Sequence, residues 1–163
     1  MTETNPVPAA MPSPVRKVYD LCSTAITLLE TWLTPVFDLA VRLYIAEIFF
    51  RAGMLKILAW SNTLDLFNYV YQVPVVPPYV AAVGGTAGEL VLPVFLALGL
   101  CGRFAAVGLS VMNVVAAISF PDISDLGLQD HVLWGAVLLV TVFHGPGRLS
   151  LDGWIKRKWG AAP

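Results

Sequence analysis

Two charged residues inside an apolar stretch of this chain have the spacing of a helical ion pair. Glu47 and Arg51 are four residues apart, so a helix places both on one face, with the acid first, which is the favourable order. The stretch around them, residues 35–60, is long enough to cross a bilayer. A charge near the centre of such a helix costs roughly 2.5–3.5 kcal/mol. Intramembrane charges indicate functional sites by default, although a self-neutralising structural pair explains these two residues equally well.

A second carboxylate lies in another apolar stretch at a similar depth. Glu89 is near the middle of residues 79–100, and antiparallel packing brings it level with Glu47. Arg51 could then bridge both carboxylates, leaving one excess negative charge or one protonated acid. We therefore predict a buried cluster of Glu47, Arg51 and Glu89 as the candidate catalytic group, able to relay protons.

Three further polar residues are predicted to bind a ligand beside this cluster: Asn113, His131 and Lys56. Asn113 is central in residues 104–120, and His131 enters residues 131–144 from the side towards which Arg51 and Lys56 lean. Each has a structural alternative. Asn113 would also serve as a hydrogen bond between helices, and His131 as an exposed loop residue.

The sequence predicts no metal site and no thiol redox pair. His131 and His144 are expected on opposite sides of the membrane, so they cannot share one metal ion. Cys22 and Cys101 form no CxxC motif. Both are expected on the reducing cytoplasmic side, as small inert buried thiols.

The composition of the 163-residue chain indicates an integral membrane protein. Hydrophobic residues make up 57% and charged residues 13%, against roughly 45–50% and 25% in ordinary globular proteins. The mean hydropathy is +0.73. A soluble domain of this length buries only about 70% of the surface that its unfolded chain exposes, so it could not bury this much apolar surface. A net charge of −1 without a basic face excludes a nucleic-acid-binding protein.

The hydropathy pattern predicts an all-α fold, an integral membrane four-helix bundle with an interfacial helix at each end. Residues 1–14 are rich in proline and lack a signal-peptide pattern, which predicts a disordered leader. Residues 15–34 have apolar positions at spacings of three and four opposite a polar face. This pattern is typical of an amphipathic helix on the membrane surface, and we expect it to end at Pro35.

The spanning helices are predicted at residues 35–60, 79–100, 104–120 and 131–144. They belong to a domain covering residues 35–147. Residues 148–163 are predicted to form a cytoplasmic interfacial tail with tryptophans and basic anchors, in which Arg148 pairs with Asp152.

The distribution of basic residues predicts the orientation in the membrane. The connections at residues 61–78 and 121–130 contain neither lysine nor arginine, and their tyrosines and prolines are expected to cap the outer mouth of the bundle. Basic residues collect instead in the two terminal segments and the short turn around Arg103. The positive-inside rule places these three stretches, and so both termini, in the cytoplasm.

Several of these segments resemble the DoxX family of small four-helix membrane proteins. The first spanning segment reads RLYIAEIFFRAGMLKILAW, the second and third read GTAGELVLPVFLALGLCGRFAAVGLSVM, and the fourth ends in FHGPGRLSLDGWI. The most specific features are Glu89 within an apolar helix, the LGLCGR turn and the closing GPGRLSLD. The resemblance covers residues 42–155. The stretches YQVPVVPP and FPD are similar to a DoxX subgroup found beside metal-stress peptide clusters.

The resemblance implies a link to a membrane subunit of thiosulfate:quinone oxidoreductase and to thiol and oxidative-stress complexes. One hypothesis is therefore a membrane subunit of an oxidoreductase or stress-response system that binds a quinone, the candidate cofactor, or a small sulfur species. The alternative is a non-catalytic membrane scaffold or small-solute carrier that docks a partner protein, with metal stress as one setting. Neither hypothesis decides whether the protein is an enzyme. The expected partners are the lipid bilayer, a soluble or membrane protein, and a second copy of the chain.

Overall fold

The computed structural model describes residues 13–160, and within this range the chain forms α-helices joined by short connections, with no strand. The all-α prediction is confirmed for this part of the chain. Most of the predicted leader lies outside the described residues, and its last two residues already belong to the first helix. In chain order the helices are α1 (Ser13–Leu28), α2 (Thr34–Leu58), α3 (Trp60–Tyr69), α4 (Pro78–Leu98), α5 (Gly102–Ser119), α6 (Asp125–His144) and α7 (Leu151–Trp159).

The sequence analysis expected the first helix to end at Pro35, but the helical backbone continues through this residue. A π-helical turn, Leu29–Leu33, joins α1 to α2, with helical backbone at both of its ends. The amide of Thr34 donates to the carbonyl of Leu29, one residue further back than in an α-helix. This wider turn accommodates a proline that cannot donate an amide hydrogen bond. The chain therefore runs from α1 into α2 without a break.

Three of the helices, α4, α5 and α6, are long and apolar enough to cross a membrane. The fourth predicted segment is longer than expected, because α6 begins at Asp125, where the Ser124 hydroxyl accepts a hydrogen bond from the Gly127 amide. The helix α2 has 25 residues, which is length enough. It also has five charged residues, however, and is not among the three apolar helices. The predicted bundle of four spanning helices is thus supported for three of them.

The core lies where α2, α4, α5 and α6 meet. The helix α4 packs against both α2 and α5, and α6 packs against α5. Ile45, Leu96, Leu109 and Leu138 contribute one nearly inaccessible side chain from each of the four helices. The expected loop at residues 61–78 instead contains α3, which packs across α4.

Buried polar contacts fix the end of the bundle at the α4–α5 turn. An arginine near the end of a spanning helix commonly extends its charge to the membrane surface, but Arg42 is 1% exposed. Its guanidinium donates to the carbonyls of Leu96 and Ala97 at the end of α4, and to that of Leu149. The last carbonyls of a helix lack a full set of intrahelical partners, and the buried arginine donates to that of Ala97 and to that of Leu96, which also accepts from the Gly99 amide at 3.1 Å.

The predicted pair between Arg148 and Asp152 is also wrong. The Asp152 carboxylate instead accepts hydrogen bonds from the amides of Cys101 and Gly102, both at 2.9 Å. The N-terminus of α5 offers unpaired amides and a positive dipole end, which together attract a carboxylate more strongly than an exposed arginine does. As a result, α7 is fixed to the α4–α5 turn.

Candidate functional site

A cavity of about 430 Å³ lies at the end of the bundle that carries α3. It is enclosed by the ends of α2 and α3, the segment after α3, the first half of α4, the second half of α5 and the start of α6. Most of its wall is apolar. The polar side chains on the wall belong to Lys56, Tyr71, Glu89, Ser119 and His131.

The strongest electrostatic contact on this wall joins Lys56 and Glu89. The ammonium donates to Glu89 Oε1 at 2.8 Å and to Oε2 at 2.6 Å. The two side chains are only 20% and 13% exposed. An ion pair so shielded is screened little by water or salt, and each charge depends on the other for its stability.

Two local features bring these charges together. A Cβ on Gly53 would lie 2.9–3.0 Å from Leu90 Cγ and Glu89 Cβ, so the absence of a side chain lets α2 and α4 approach closely. Lys56 follows less than one turn later, near the end of α2. There the Thr63 hydroxyl donates to the Lys56 carbonyl at 3.0 Å and stabilises the corner between α2 and α3.

A second polar pair, Asn113 and His131, lies between α5 and α6, and His131 lines the same cavity. The Asn113 amide Nδ2 donates to the His131 carbonyl at 2.7 Å, and Asn113 Oδ1 lies 2.8 Å from His131 Nδ1. Gly135 provides the room, since a Cβ there would lie 3.2 Å from Asn113 Nδ2. The expected hydrogen bond between helices is confirmed for Asn113, whereas His131 is half-buried in α6 and is not a loop residue.

The aromatic wall of the cavity includes Tyr71, which follows α3. Its ring packs edge to face against Phe67 at 5.0 Å and Phe120 at 5.7 Å between centroids. Burial, and to a lesser extent the Glu89 carboxylate, raise the pKa of Tyr71 above the ordinary value of 10.0. Tyr71 therefore stays a neutral hydroxyl across the physiological pH range.

Ser119 contributes the last polar group on the wall. Its residue is 2% exposed, and its hydroxyl has no hydrogen-bond partner among the described residues. A buried hydroxyl without a partner is uncommon because it forfeits its hydrogen bonds to water. In this cavity it is available to a bound ligand.

The predicted cluster of Glu47, Arg51 and Glu89 is not formed. Glu47 and Arg51 do pair, at 3.1 Å, but their side chains are 60% and 75% exposed on the outside of the bundle. Glu89 pairs with Lys56 instead. The structure thus brings one member of the predicted catalytic group, Glu89, to the same cavity as Lys56 and His131.

The helical repeat explains why Arg51 and Lys56 exchange roles. The buried positions of α2 include Asp38, Arg42, Ile45, Phe49 and Gly53, spaced by three or four residues. Continuing this stripe leads to Lys56. Glu47 and Arg51 lie outside it, so their side chains point away from α4.

Tyr71, Ser119 and the glycines of α4 were missed by the sequence analysis. Tyr71 was assigned only to a general cap over the bundle. The signal that could have revealed the cavity is the Gly84–Gly85 pair in an otherwise apolar helix. A Cβ on Gly84 has no heavy atom within 4 Å, so here the small residues leave open volume beside the packed helices.

The two cysteines differ from their predicted environment, because both are exposed. Cys101 lies in the tight α4–α5 turn, where its backbone has a positive φ of 48°, and a turn at the end of a helical pair leaves little to cover it. Among residues 13–160, no group of three or more metal-ligating side chains is close enough to hold an ion.

The chemistry available in this cavity is binding of an apolar ring or chain with a polar end. Glu89 can accept a proton or hydrogen bond, Lys56 can donate, and His131 can do either. The arrangement has the features of ligand sites in general, a mainly apolar wall with a few convergent polar groups.

Comparisons with known proteins agree with the membrane assignment. The family model described as DoxX matches residues 37–122, a range that includes Lys56, Glu89 and Asn113 and ends before His131. An uncharacterized protein of Haemophilus influenzae is 29% identical over 131 residues, covering 73% of this chain and 83% of the relative. No solved structure matches the chain significantly.

Proposed function

The chain belongs to the DoxX family of membrane proteins, and from this premise we propose that it binds a quinone in the cavity between α3, α4 and α5. It does so as the membrane subunit of an oxidoreductase or stress-response system. The observation that carries the proposal is the position of the Lys56–Glu89 pair and His131 on one mainly apolar wall. The apolar surface favours a quinone over a small sulfur oxyanion, which would lose its hydration there.

The proposed site residues have separate roles. Interconversion of a quinone and a quinol transfers two electrons and two protons, and the electrons are exchanged with a redox partner protein. Glu89, held by Lys56, and His131 exchange the protons with the bound ring. Asn113 holds His131, and the aromatic side chains of Phe67 and Tyr71 contact the ring.

The proposal includes a membrane arrangement. The helix α2 is the fourth spanning helix, so the DoxX-like domain extends over residues 35–147 and α7 lies in the interface as part of the tail at residues 148–163. Pairing of Lys56 with Glu89, and hydrogen bonding of Arg42 to carbonyls, supports this placement. The basic residues place both termini in the cytoplasm of a bacterial inner membrane, with the cavity near the outer side.

The experiment is extraction of bound quinone from protein purified in mild detergent, with identification by mass spectrometry. Gly84→Leu places a side chain in the open volume of the cavity and should abolish the bound quinone. Ala87→Leu is the matched control, since Ala87 is an exposed small residue on the same helix. The proposal fails if no quinone accompanies the unmodified protein, or if both variants retain it equally.

A second candidate function, docking of a partner protein, is favoured by the exposed Glu47–Arg51 pair. If α2 spans the membrane, this pair faces lipid near the middle of the helix, where charges are unfavourable unless protein covers them. A partner helix or a second copy would supply that cover. Glu47→Gln with Arg51→Gln should keep abundance in the membrane but abolish the crosslinked complex with the partner, while Val114→Ala, at an exposed position of α5, serves as control.

A further inference from the structure

The hydrogen bonds of Asn113 determine which nitrogen of His131 carries a proton. The backbone carbonyl of His131 can only accept, so the Asn113 atom that faces it must be the amide nitrogen. Asn113 Oδ1 then faces His131 Nδ1 at 2.8 Å. An amide oxygen can only accept, so Nδ1 must be the donor.

The consequence concerns the other ring nitrogen. With its proton on Nδ1, the neutral imidazole carries a lone pair on Nε2. Nε2 has no hydrogen-bond partner among residues 13–160, and His131 lies on the cavity wall. The cavity therefore contains a fixed hydrogen-bond acceptor at this point.

The other polar groups on the wall do not determine whether the ligand must donate or accept a hydrogen bond. The Lys56–Glu89 pair offers both a donor and an acceptor, and the hydroxyls of Tyr71 and Ser119 can donate or accept. His131 is thus the group that can distinguish a ligand with hydroxyl groups from one with carbonyl groups in the same positions. A carbonyl oxygen opposite Nε2 would place two acceptors against each other in an apolar cavity.

We propose that this cavity selects the hydroxyl-bearing form of a ring ligand, a quinol over the corresponding quinone, with His131 Nε2 accepting the ring hydroxyl. This inference rests on the proposed function and specifies the form of the ligand. Asn113 is a positioning residue, since it acts only by holding the His131 ring in one tautomer. The site accordingly retains the reduced ligand and releases the oxidised one.

The first test compares two probes of nearly equal size, tetramethylhydroquinone and tetramethylbenzoquinone, bound anaerobically to the full-length protein in detergent. We expect the hydroquinone to bind about tenfold more tightly, the value of one hydrogen bond gained and one repulsive contact avoided. Asn113→Leu removes the acceptor for Nδ1–H at similar size and should abolish or reverse this preference. Gly84→Leu should weaken the binding of both probes to a similar extent.

The second test reads the tautomer directly and does not require a variant of the site. The chain contains two histidines, and His144 is exposed, so His144→Gln leaves His131 as the only one. Nitrogen-15 NMR of the labelled histidine should show a protonated Nδ1 and an unprotonated Nε2. A doubly protonated ring, or a proton on Nε2, overturns the inference.

The outcomes separate the inference from the proposed function. Binding of both probes that is blocked by Gly84→Leu but shows no preference for the hydroquinone overturns the inference and leaves quinone binding in place. Failure of both probes to bind a folded protein overturns both. Preference for the hydroquinone together with protonated Nδ1 supports both.

Discussion

Lys56 and Glu89 form a two-pronged ion pair across α2 and α4, with both carboxylate oxygens within 2.8 Å of the ammonium nitrogen. The pair is short, largely shielded and located on the wall of the cavity that also contains His131. This contact has both a structural and a chemical role. The two roles can be separated by substitutions that remove one charge, both charges, or only the ability to transfer a proton.

Removal of one charge should destabilise the fold more than removal of both. Lys56→Met leaves Glu89 shielded without its partner, and breaking such a pair costs about 3–5 kcal/mol. Lys56→Met with Glu89→Leu replaces both by apolar side chains and should restore most of the loss. Thermal unfolding in detergent, followed by circular dichroism, measures both. Lys156→Met is the control and should change stability by less than about 1 kcal/mol, because this lysine is exposed on α7, outside the bundle. A double variant no more stable than the single one would contradict this prediction.

Two glycines, Gly53 at the α2–α4 contact and Gly84 on the cavity wall, should respond oppositely to alanine. Gly53→Ala inserts a methyl group 2.9–3.0 Å from Leu90 Cγ and Glu89 Cβ, and such overpacking costs about 1–3 kcal/mol. Gly84→Ala meets no neighbouring atom and should be neutral or stabilising by up to about 1 kcal/mol, through helix propensity. Unfolding curves of the two variants under the same conditions test the difference. Equal effects would show that α2 and α4 do not approach as described.

Loss of the titratable acid should lower the activity per folded protein, in addition to the destabilisation that follows from leaving Lys56 without its partner. Glu89→Gln keeps the size of the side chain and can still accept from Lys56, but it cannot accept a proton as a carboxylate does. We expect activity to fall by a factor of about 10²–10⁴. His131→Ala should reduce activity less, because water can replace the imidazole. The assay is complementation of a deletion strain under thiol or metal stress, with membrane abundance measured for each variant. Full rescue by Glu89→Gln at normal abundance favours the docking function.

Tyr71 should make stability decrease at alkaline pH. Because its pKa is raised in the folded state, the unfolded chain loses this proton at a lower pH than the folded chain does. The contribution of the neutral hydroxyl is therefore complete below about pH 10 and is lost as the pH rises through the folded-state pKa. Absorbance titration should show a late-ionising tyrosine that is absent from Tyr71→Phe. Persistence of that late step in Tyr71→Phe would assign it to another residue.

Cysteine labelling should reveal the orientation without an engineered residue at the inner turn. Cys101 is exposed in the α4–α5 turn, so in a Cys22→Ser background it reports on that end of the bundle. An impermeant maleimide added to intact cells should not label Cys101. It should label Asp122→Cys, in the opposite connection, when Cys22 and Cys101 are both serine. Labelling of Cys101 from outside reverses the proposed topology.

The sequence predicted the apolar helices well because their composition leaves few alternatives. The helices α4, α5 and α6 follow directly from long apolar stretches with few charges between turn residues. The helix α3 was missed, since it is only ten residues long and is not strongly apolar, so it fits an ordinary connection between two spanning helices. What stabilises α3 is its packing across α4 and the hydrogen bond from the Thr63 hydroxyl to the end of α2.

The candidate site was predicted in its residue types but not in its pairing. Glu89, Asn113, His131 and Lys56 were all identified, yet Glu89 was assigned to Arg51. Two residues of α2 five positions apart differ by about 140° around the helix axis, and the choice between them depends on which face packs on α4. The buried stripe that includes Phe49 and Gly53 resolves that choice, and it contains no charged residue in its central part. An interpretation that follows the charged residues alone therefore chooses Arg51, which lies on the wrong face of α2.

The π-helical turn before Pro35 has a consequence for chain length. Because α1, this turn and α2 follow one another without a break, they form a helical path of about 70 Å, more than twice the thickness of the hydrocarbon core. Each residue advances the helix by about 100°, so one residue inserted or deleted within Leu29–Leu33 turns the apolar side of α1 by that angle relative to Lys56 and the rest of α2. Insertion or deletion of three or four residues turns α1 by nearly a full turn, and so nearly restores its original direction relative to α2. The direction in which α1 presents its apolar side is thus set by the number of residues in one turn, and not by any contact of α1 with the bundle.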